Sequence, residues 1–204
     1  MDEYAVLELK RNRGWPWPRS SFGNTPMFGE DGWCQTCGVP NRTQTGSLVL
    51  ESKSMRSEGA WVPYWQYDAY CMSAELASEV SARFSVELRP VEWQGAAPGD
   101  AMQIIVPTVG ESWFDQNLLT QKTVERHGSA GNRCAECDVW RWFPLLWGDL
   151  HEIRTDVDLN GADIAASPEW FGDGLKAFRE IVVKRELATF LQSASPRDFT
   201  NFPL

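Results

Sequence analysis

Two CxxC pairs constrain this chain more than any other feature of its sequence. Cys34 and Cys37 form the first pair, and Cys134 and Cys137 form the second. One such pair supplies two thiolates from a single tight turn, so two pairs supply the four sulfur ligands of a tetrahedral Zn²⁺ site. The spacing therefore predicts one structural zinc ion held by these four cysteines. Cys71, which has no partner at short spacing, is predicted to be a buried apolar thiol.

The long separation of the pairs defines the role expected of the metal. Ninety-six residues lie between Cys37 and Cys134, so the ion would join two distant segments rather than fold a local finger. Closing a loop of this length is where a cross-link removes the most entropy from the unfolded chain. The odd number of cysteines also argues against a closed disulfide framework. We therefore expect loss of a ligand to lower stability first, and partner binding only as a consequence.

A redox dithiol is the main alternative for the first pair, because Trp33 to Cys37 resembles the WCxxC of a thioredoxin active site. That motif must open a helix, whose N-terminus lowers the pKa of the first thiol. Gly38 favours a left-handed bend, and Pro40 would fall in the first turns of such a helix. The second pair is followed by Asp138, which can also adopt the left-handed conformation. These residues favour a metal site, and uncoordinated thiols or another thiophilic metal stay open.

The negative charge of the chain is concentrated in one segment. The net charge is -9, which argues against nucleic-acid binding because phosphates require a basic surface. Residues 136–173 hold nine Asp and Glu against two Arg, which gives -7 of that total. The segment is either a solvated face or a docking surface that attracts a basic partner. The residues predicted to attract such a partner are Asp149, Glu152, Asp156, Asp158 and Asp163.

No catalytic site is predicted. The chain contains only two histidines, His127 and His151, and no HExxH, GxSxG, Walker A or GxGxxG pattern. Residues 156–161 match the first half of a calcium loop, but Ser167 stands where the bidentate Glu is required. We therefore expect a turn there, and a protein that is not an enzyme.

The length of 204 residues and the 43% hydrophobic content suit a single domain over residues 1–204. Possible sub-regions are 1–72, 73–133 and 134–204. No stretch is apolar enough for a membrane span, and the N-terminal residues lack the order of a signal peptide, so a cytoplasmic location without membrane contact is expected.

Local patterns predict an α+β fold, with a mixed or antiparallel sheet and a few helices. Ser73 is predicted to cap a helix that ends near Phe84, and Ser167-Pro168 to start another. Most of the eleven Trp residues are expected in the core. Strands are predicted at 4–9, 47–51, 103–106 and 181–183, and a last helix at 184–193.

A longer succession of motifs extends the two CxxC pairs. It consists of Trp33 to Gly38, the helix 73–84, Pro98 to Asp100 leading into Val106 to Gly110, Cys134 to Cys137, Asp163 to Ala165, Ile181 to Ala188 and Phe199 to Pro203. This order resembles the double-CXXCG motif immunity proteins of bacterial polymorphic toxin systems, from about residue 30 onward. Asp138 departs from the family pattern, since it stands where the second CXXCG motif has Gly.

The resemblance implies a non-enzymatic protein that binds and neutralises a cognate protein toxin, which would be basic if the acidic segment attracts it. A zinc-ribbon module that binds nucleic acid or a transcription partner is the alternative. Such a module would need a basic stripe beside a CxxC pair. Arg126, His127 and Arg133 form a small candidate stripe of this kind.

Overall fold

The computed structural model describes residues 3–10, 16–51, 58–95, 100–146, 148, 150, 153–154 and 156–204. These residues form an α+β fold, as predicted. The helices are α1 (Asn24–Phe28), α2 (Ala74–Arg83), α3 (Gln116–His127) and α4 (Arg185–Ala194). The strands are β1 (Tyr4–Leu9), β2 (Val49–Glu51), β3 (Ala60–Trp61), β4 (Cys71–Ser73), β5 (Glu87–Pro90), β6 (Glu92–Gln94), β7 (Ala101–Ile105), β8 (Gly131–Arg133), β9 (Trp140–Trp142), β10 (Ile164–Ala166), β11 (Trp170–Asp173), β12 (Lys176–Phe178), β13 (Ile181–Lys184) and β14 (Phe199–Pro203).

The first and last strands of the chain lie side by side in one antiparallel sheet. Its strand order is β10-β13-β1-β14, and β1 pairs with β14 from Ala5 opposite Pro203 to Leu9 opposite Phe199. Both faces of this sheet are covered. Ala5 and Leu7 face a core shared with α2 and α4, whereas Tyr4 faces a second core that contains Trp113 and Phe114. The strand prediction at 4–9 is confirmed. Because both faces of β1 are buried, its sequence is a nearly continuous apolar run and does not alternate between apolar and polar residues.

The remaining strands form three sheets among the described residues. One is antiparallel, with the order β3-β4-β7-β5, and β2 pairs with β6 in a short parallel ribbon. The third has the order β12-β11-β9-β8, in which β9 and β11 run parallel and the other neighbours antiparallel. The third sheet carries the second CxxC pair, because that pair lies in the connection between β8 and β9.

Two helices confirm their predicted buried faces, and α2 also confirms its predicted cap. The Ser73 side chain accepts a hydrogen bond from the Leu76 amide at 3.3 Å and caps α2. Leu76 and Val80 are buried one turn apart, as the apolar spacing predicts. The last helix, α4, begins at Arg185 directly after strand β13 and buries Leu187 and Leu191.

One predicted element differs from the structure, and one observed helix was not predicted. The helix start at Ser167-Pro168 is wrong: Ser167 instead accepts a hydrogen bond from the Glu180 amide at 3.2 Å, and the chain continues as strand β11. Trp170 and Phe171 are good strand formers, and the pairing of β11 with β12 overrides the capping signal. Helix α3 was not predicted, because it buries only Leu119 and Thr123.

Five of the nine described Trp residues are buried, and Cys71 is a buried thiol, as expected. No helix in the described part of the chain is long and apolar enough to cross a membrane. The boundary at residues 72 and 73 falls inside β4, so it separates no structural unit. The single domain stays a prediction, which the pairing of β1 with β14 favours.

Candidate metal centre

The two CxxC pairs come together in space as the sequence predicts. All four sulfur atoms lie within 4.8 Å of one another. The Sγ atoms of Cys34 and Cys134 are 3.7 Å apart, and those of Cys37 and Cys137 are 3.5 Å apart. A tetrahedron with metal–sulfur bonds of about 2.3 Å places its sulfurs about 3.8 Å from one another. The four cysteines therefore fit the ligand set of one metal ion.

The two pairs are built by the same local structure, with equivalent residues exactly one hundred positions apart. Each pair lies at the end of a short antiparallel hairpin, closed by Trp33 opposite Pro40 in the first and by Arg133 opposite Trp140 in the second. The Cys34 amide donates to the Val39 carbonyl at 2.8 Å, and the Cys134 amide donates to the Val139 carbonyl at 3.0 Å. We call these two hairpin ends, residues 33–40 and 133–140, the knuckles.

A left-handed residue follows the second cysteine of each knuckle. Gly38 has φ 79° and Asp138 has φ 62°. This conformation lets their amides turn back to the first cysteine, with Gly38 N to Cys34 O at 2.7 Å and Asp138 N to Cys134 O at 3.0 Å. Neither knuckle opens a helix, since the chain leaves both as extended hairpins. The first CxxC pair therefore lacks the helix N-terminus on which a thioredoxin-like dithiol depends.

Backbone amides lie against the sulfurs of Cys37, Cys134 and Cys137 and favour their charged form. Hydrogen bonds from the Cys137 and Glu136 amides lower the pKa of Cys134 to about 6. Burial raises the pKa of Cys37 and of Cys137, although amides from Val39 and Val139 act in the opposite direction. A bound divalent cation would offset this cost of burial, because metal ligation requires the thiolate form.

Three further contacts fix the knuckles in place. Thr36 donates to the Glu136 carboxylate at 2.5 Å and so joins the tips of the two turns. Gly38 packs against the backbone of Leu175, in the turn between β11 and β12. Arg141, which is 6% exposed, donates from Nη1 to the carbonyl oxygens of Cys37 at 3.1 Å and of Gly174 at 2.6 Å. The sequence alone did not indicate these contacts, because the partners in each contact lie far apart in the chain.

The acidic residues predicted to attract a partner lie in different environments. Asp156 and Asp158 are exposed, and Arg154 holds the pKa of Asp156 below its usual range through hydrogen bonds of 3.0 and 2.5 Å. Asp158 accepts from the Asn160 amide at 2.7 Å, which forms the predicted turn in place of a calcium loop. Asp149 and Glu152 lie outside the described residues.

Asp163 differs from these exposed carboxylates. Its side chain is 12% exposed, and its Oδ1 lies 2.8 Å from Lys184 Nζ. The Ser85 amide donates to Oδ2 at 2.6 Å. A carboxylate that is held by two partners within the chain suits a structural role better than attraction of a distant partner.

Comparison with models of known protein families gives no match, and comparison with curated proteins gives no similar protein. The site is therefore characterised by its own geometry. It offers four sulfur ligands, two amide-rich turns and one neighbouring buried cation. This arrangement can hold a thiophilic metal ion, and four protein ligands leave no coordination position for a reacting water.

Asp138 allows a direct test of the knuckle conformation. Asp138→Gly should leave stability unchanged or raise it by up to about 1 kcal/mol, because glycine adopts a positive φ without steric cost. The lost ion pair with Arg133 is exposed and contributes little. Asp138→Ala removes the same ion pair and keeps the Cβ atom, but it loses the short polar side chain that eases the left-handed conformation, so it should destabilise by about 1 kcal/mol. Denaturant unfolding measures both, and equal effects of the two substitutions would contradict the conformational explanation.

Proposed function

We propose that this protein binds and neutralises a cognate protein toxin, and that one structural zinc ion holds its fold together. The observation that carries the proposal is the convergence of the two CxxC pairs. These pairs are the most specific part of the resemblance to the double-CXXCG motif immunity proteins, and they meet at a single four-sulfur site. In this proposal the protein acts by binding alone and catalyses no reaction.

Zinc is the metal that the ligand set favours. Four thiolates form a soft donor set, and a closed tetrahedral Cys₄ shell is typical of structural zinc. When bound, the ion supplies a cross-link between the first knuckle and the β8–β9 hairpin. The protein's own contribution is to hold the two turns at the required separation, through Thr36 and Glu136 at the tips and Gly38 against Leu175 behind them.

The exposed carboxylates support a basic partner. Asp156 and Asp158 are exposed, and so are Glu136, Asp138 and Asp173 near the second knuckle and the β11–β12 turn. A surface with this sign of charge accelerates the encounter with a positively charged protein. Toxins that act on nucleic acid need basic surfaces themselves, because they must bind phosphates. A nuclease toxin would therefore match the charge of this protein.

Co-expression with the toxin from a neighbouring reading frame tests the proposed function. We expect the protein to form a stable complex with the toxin's C-terminal domain and to restore growth of cells that express it. Pull-down and growth curves measure the two effects. Growth inhibition that persists although both proteins are present and folded would contradict neutralisation of that toxin.

Charge reversal tests the role of the acidic segment in this complex. The triple variant Asp149→Lys, Glu152→Lys and Asp156→Lys should lower the association rate constant by about tenfold or more at low salt, and should flatten its salt dependence. The dissociation rate should change less, since long-range attraction acts on the encounter. Stopped-flow fluorescence at several salt concentrations measures these rates.

The matched control carries the same change in charge at three exposed positions of another part of the chain. Glu30, Glu79 and Glu92 are exposed and lie outside the acidic segment, so their replacement by Lys alters the total charge equally. If the location of the charges matters, this control should slow association much less. Identical rates for the two triple variants would assign the effect to net charge alone.

Nucleic-acid binding is the second candidate function, and the paired hairpin knuckles favour it because zinc ribbons share this form. The charges beside the second knuckle act against it: Arg133 pairs with Asp138 at 2.7 Å, and Glu136 is exposed next to it. His127 has one ring nitrogen 2.8 Å from the Pro144 carbonyl oxygen. A gel-shift titration at low salt decides between the two functions, and binding of RNA or DNA would replace our first proposal.

A further inference from the structure

Arg141 is a buried cation whose charge has no counterpart among the described side chains. Only 6% of its surface is exposed, and the ion pairs of the described residues do not include it. Its Nη1 donates to two neutral carbonyl oxygens, and its Nε is buried without any hydrogen-bond partner. A buried charge is costly unless an opposite charge lies nearby. The position of Arg141 therefore calls for a source of negative charge.

The four-sulfur site is close enough to supply that charge. Arg141 Nη1 is 3.1 Å from the carbonyl oxygen of Cys37. Bond lengths limit the distance between the carbonyl oxygen and the sulfur of one cysteine to about 5 Å, so the guanidinium lies within about 8 Å of the Cys37 sulfur. Four thiolates around a divalent ion carry a net charge of -2. Cys37 is fully buried, so solvent and salt screen this attraction only weakly.

We propose that Arg141 is the counter-cation of a four-thiolate metal centre, and that it raises metal affinity by partly neutralising the centre's negative charge. This inference rests on the metal site of the proposed function. Arg141 is a positioning residue as well, because its two hydrogen bonds join Cys37 to Gly174 in the β11–β12 turn. The charge and the hydrogen bonds make different predictions, so they can be separated by substitution.

Arg141→Gln and Arg141→Lys form the matched pair. Glutamine can still donate to a carbonyl oxygen but is neutral. Lysine keeps the charge but lacks the planar guanidinium group of arginine with its several N–H donors. We expect Arg141→Gln to weaken zinc binding by about 10- to 100-fold, the range found when residues that support metal ligands are replaced. Arg141→Lys should stay within a few-fold of the wild type. Competition with a chromophoric zinc chelator measures both affinities.

Thiolate reactivity provides a second readout, which a purely structural tether would not alter. Without the neighbouring positive charge, the metal-bound thiolates should be more nucleophilic, so alkylation of the zinc-loaded Arg141→Gln protein should be faster. The cobalt-substituted protein should keep a tetrahedral four-sulfur absorption spectrum in each variant. That spectrum shows that the site is intact while its affinity and reactivity change.

The outcomes separate this inference from the proposed function. Equal zinc affinities for wild type, Arg141→Gln and Arg141→Lys would overturn the counter-cation role and leave the metal site in place. A loss of affinity of about tenfold or more in Arg141→Lys would assign the residue to hydrogen bonding rather than to its charge, and this result decides the matter even if Arg141→Gln does not fold. Wild-type protein that binds no zinc would overturn both the site and the inference. Toxin binding enters none of these measurements.

Discussion

Replacement of Cys34 by serine should remove the bound metal and lower the apparent melting temperature by about 10 to 20 °C. A serine oxygen is a poor ligand for a thiophilic ion, so the four-sulfur shell loses a member. Apparent binding free energies of structural zinc reach about 10 to 16 kcal/mol, which is comparable with the whole stability of a domain. Even a loss of about 5 kcal/mol produces the expected shift for a chain of this size. Metal analysis and differential scanning calorimetry measure the two effects.

Cys137→Ser should behave like Cys34→Ser, because the two residues lie in different knuckles but complete the same shell. Cys71→Ala is the matched control, since Cys71 is buried like Cys34 but packs in a separate apolar cluster with Trp61 and Leu50. Cys71→Ala should lower the free energy of unfolding by about 1 to 2 kcal/mol, because it leaves a small cavity. The variant should still bind one metal ion per chain. A Cys34→Ser protein that retains the wild-type melting temperature would show that the metal is dispensable for folding.

The fold could be predicted where one local signal dominates. Strand β1 and helices α2 and α4 have a strong apolar pattern or a capping residue, and each lies within a few residues of its predicted position. Helix α3 has instead an Asp115 cap and a terminal Gly128, with a narrow buried face between them. The segment after Ser167 contains a capping signal, but pairing with distant strands decides its structure. Helix α3 therefore has local start and stop signals but a weak apolar pattern, whereas the structure of the segment after Ser167 depends on tertiary contacts.

The candidate site could be predicted to the level of its ligands. The spacing of the cysteines indicates the four sulfurs, and Gly38 indicates the left-handed turn that the structure contains. The supporting contacts could not be predicted, because Arg141 and Leu175 reach the first knuckle from a separate sheet. Asp163 shows the same limit in the acidic segment, where the sequence does not distinguish exposed carboxylates from an internal ion pair.

Gly38→Ala should destabilise the protein strongly, with a loss of about 2 to 5 kcal/mol in the free energy of unfolding. Two costs combine at this position. A side chain at φ 79° costs about 1 to 2 kcal/mol, and the added Cβ would lie 2.3 Å from the carbonyl oxygen of Leu175. That oxygen belongs to the backbone of the β11–β12 turn, so relief of the clash must move either the turn or the knuckle. Denaturant unfolding of the zinc-loaded protein measures the loss.

The second effect expected of Gly38→Ala is weaker metal binding. A knuckle displaced from Leu175 carries Cys34 and Cys37 with it, so the sulfurs no longer match the second knuckle. Gly128→Ala separates the effect of the clash with Leu175 from the cost of a side chain at positive φ. Gly128 has a similar φ of 75° but open space around its Cβ position. The variant should lose about 1 to 2 kcal/mol with unchanged zinc affinity. Equal stability and equal zinc affinity in the two variants would show that the contact between Gly38 and Leu175 does not position the metal ligands.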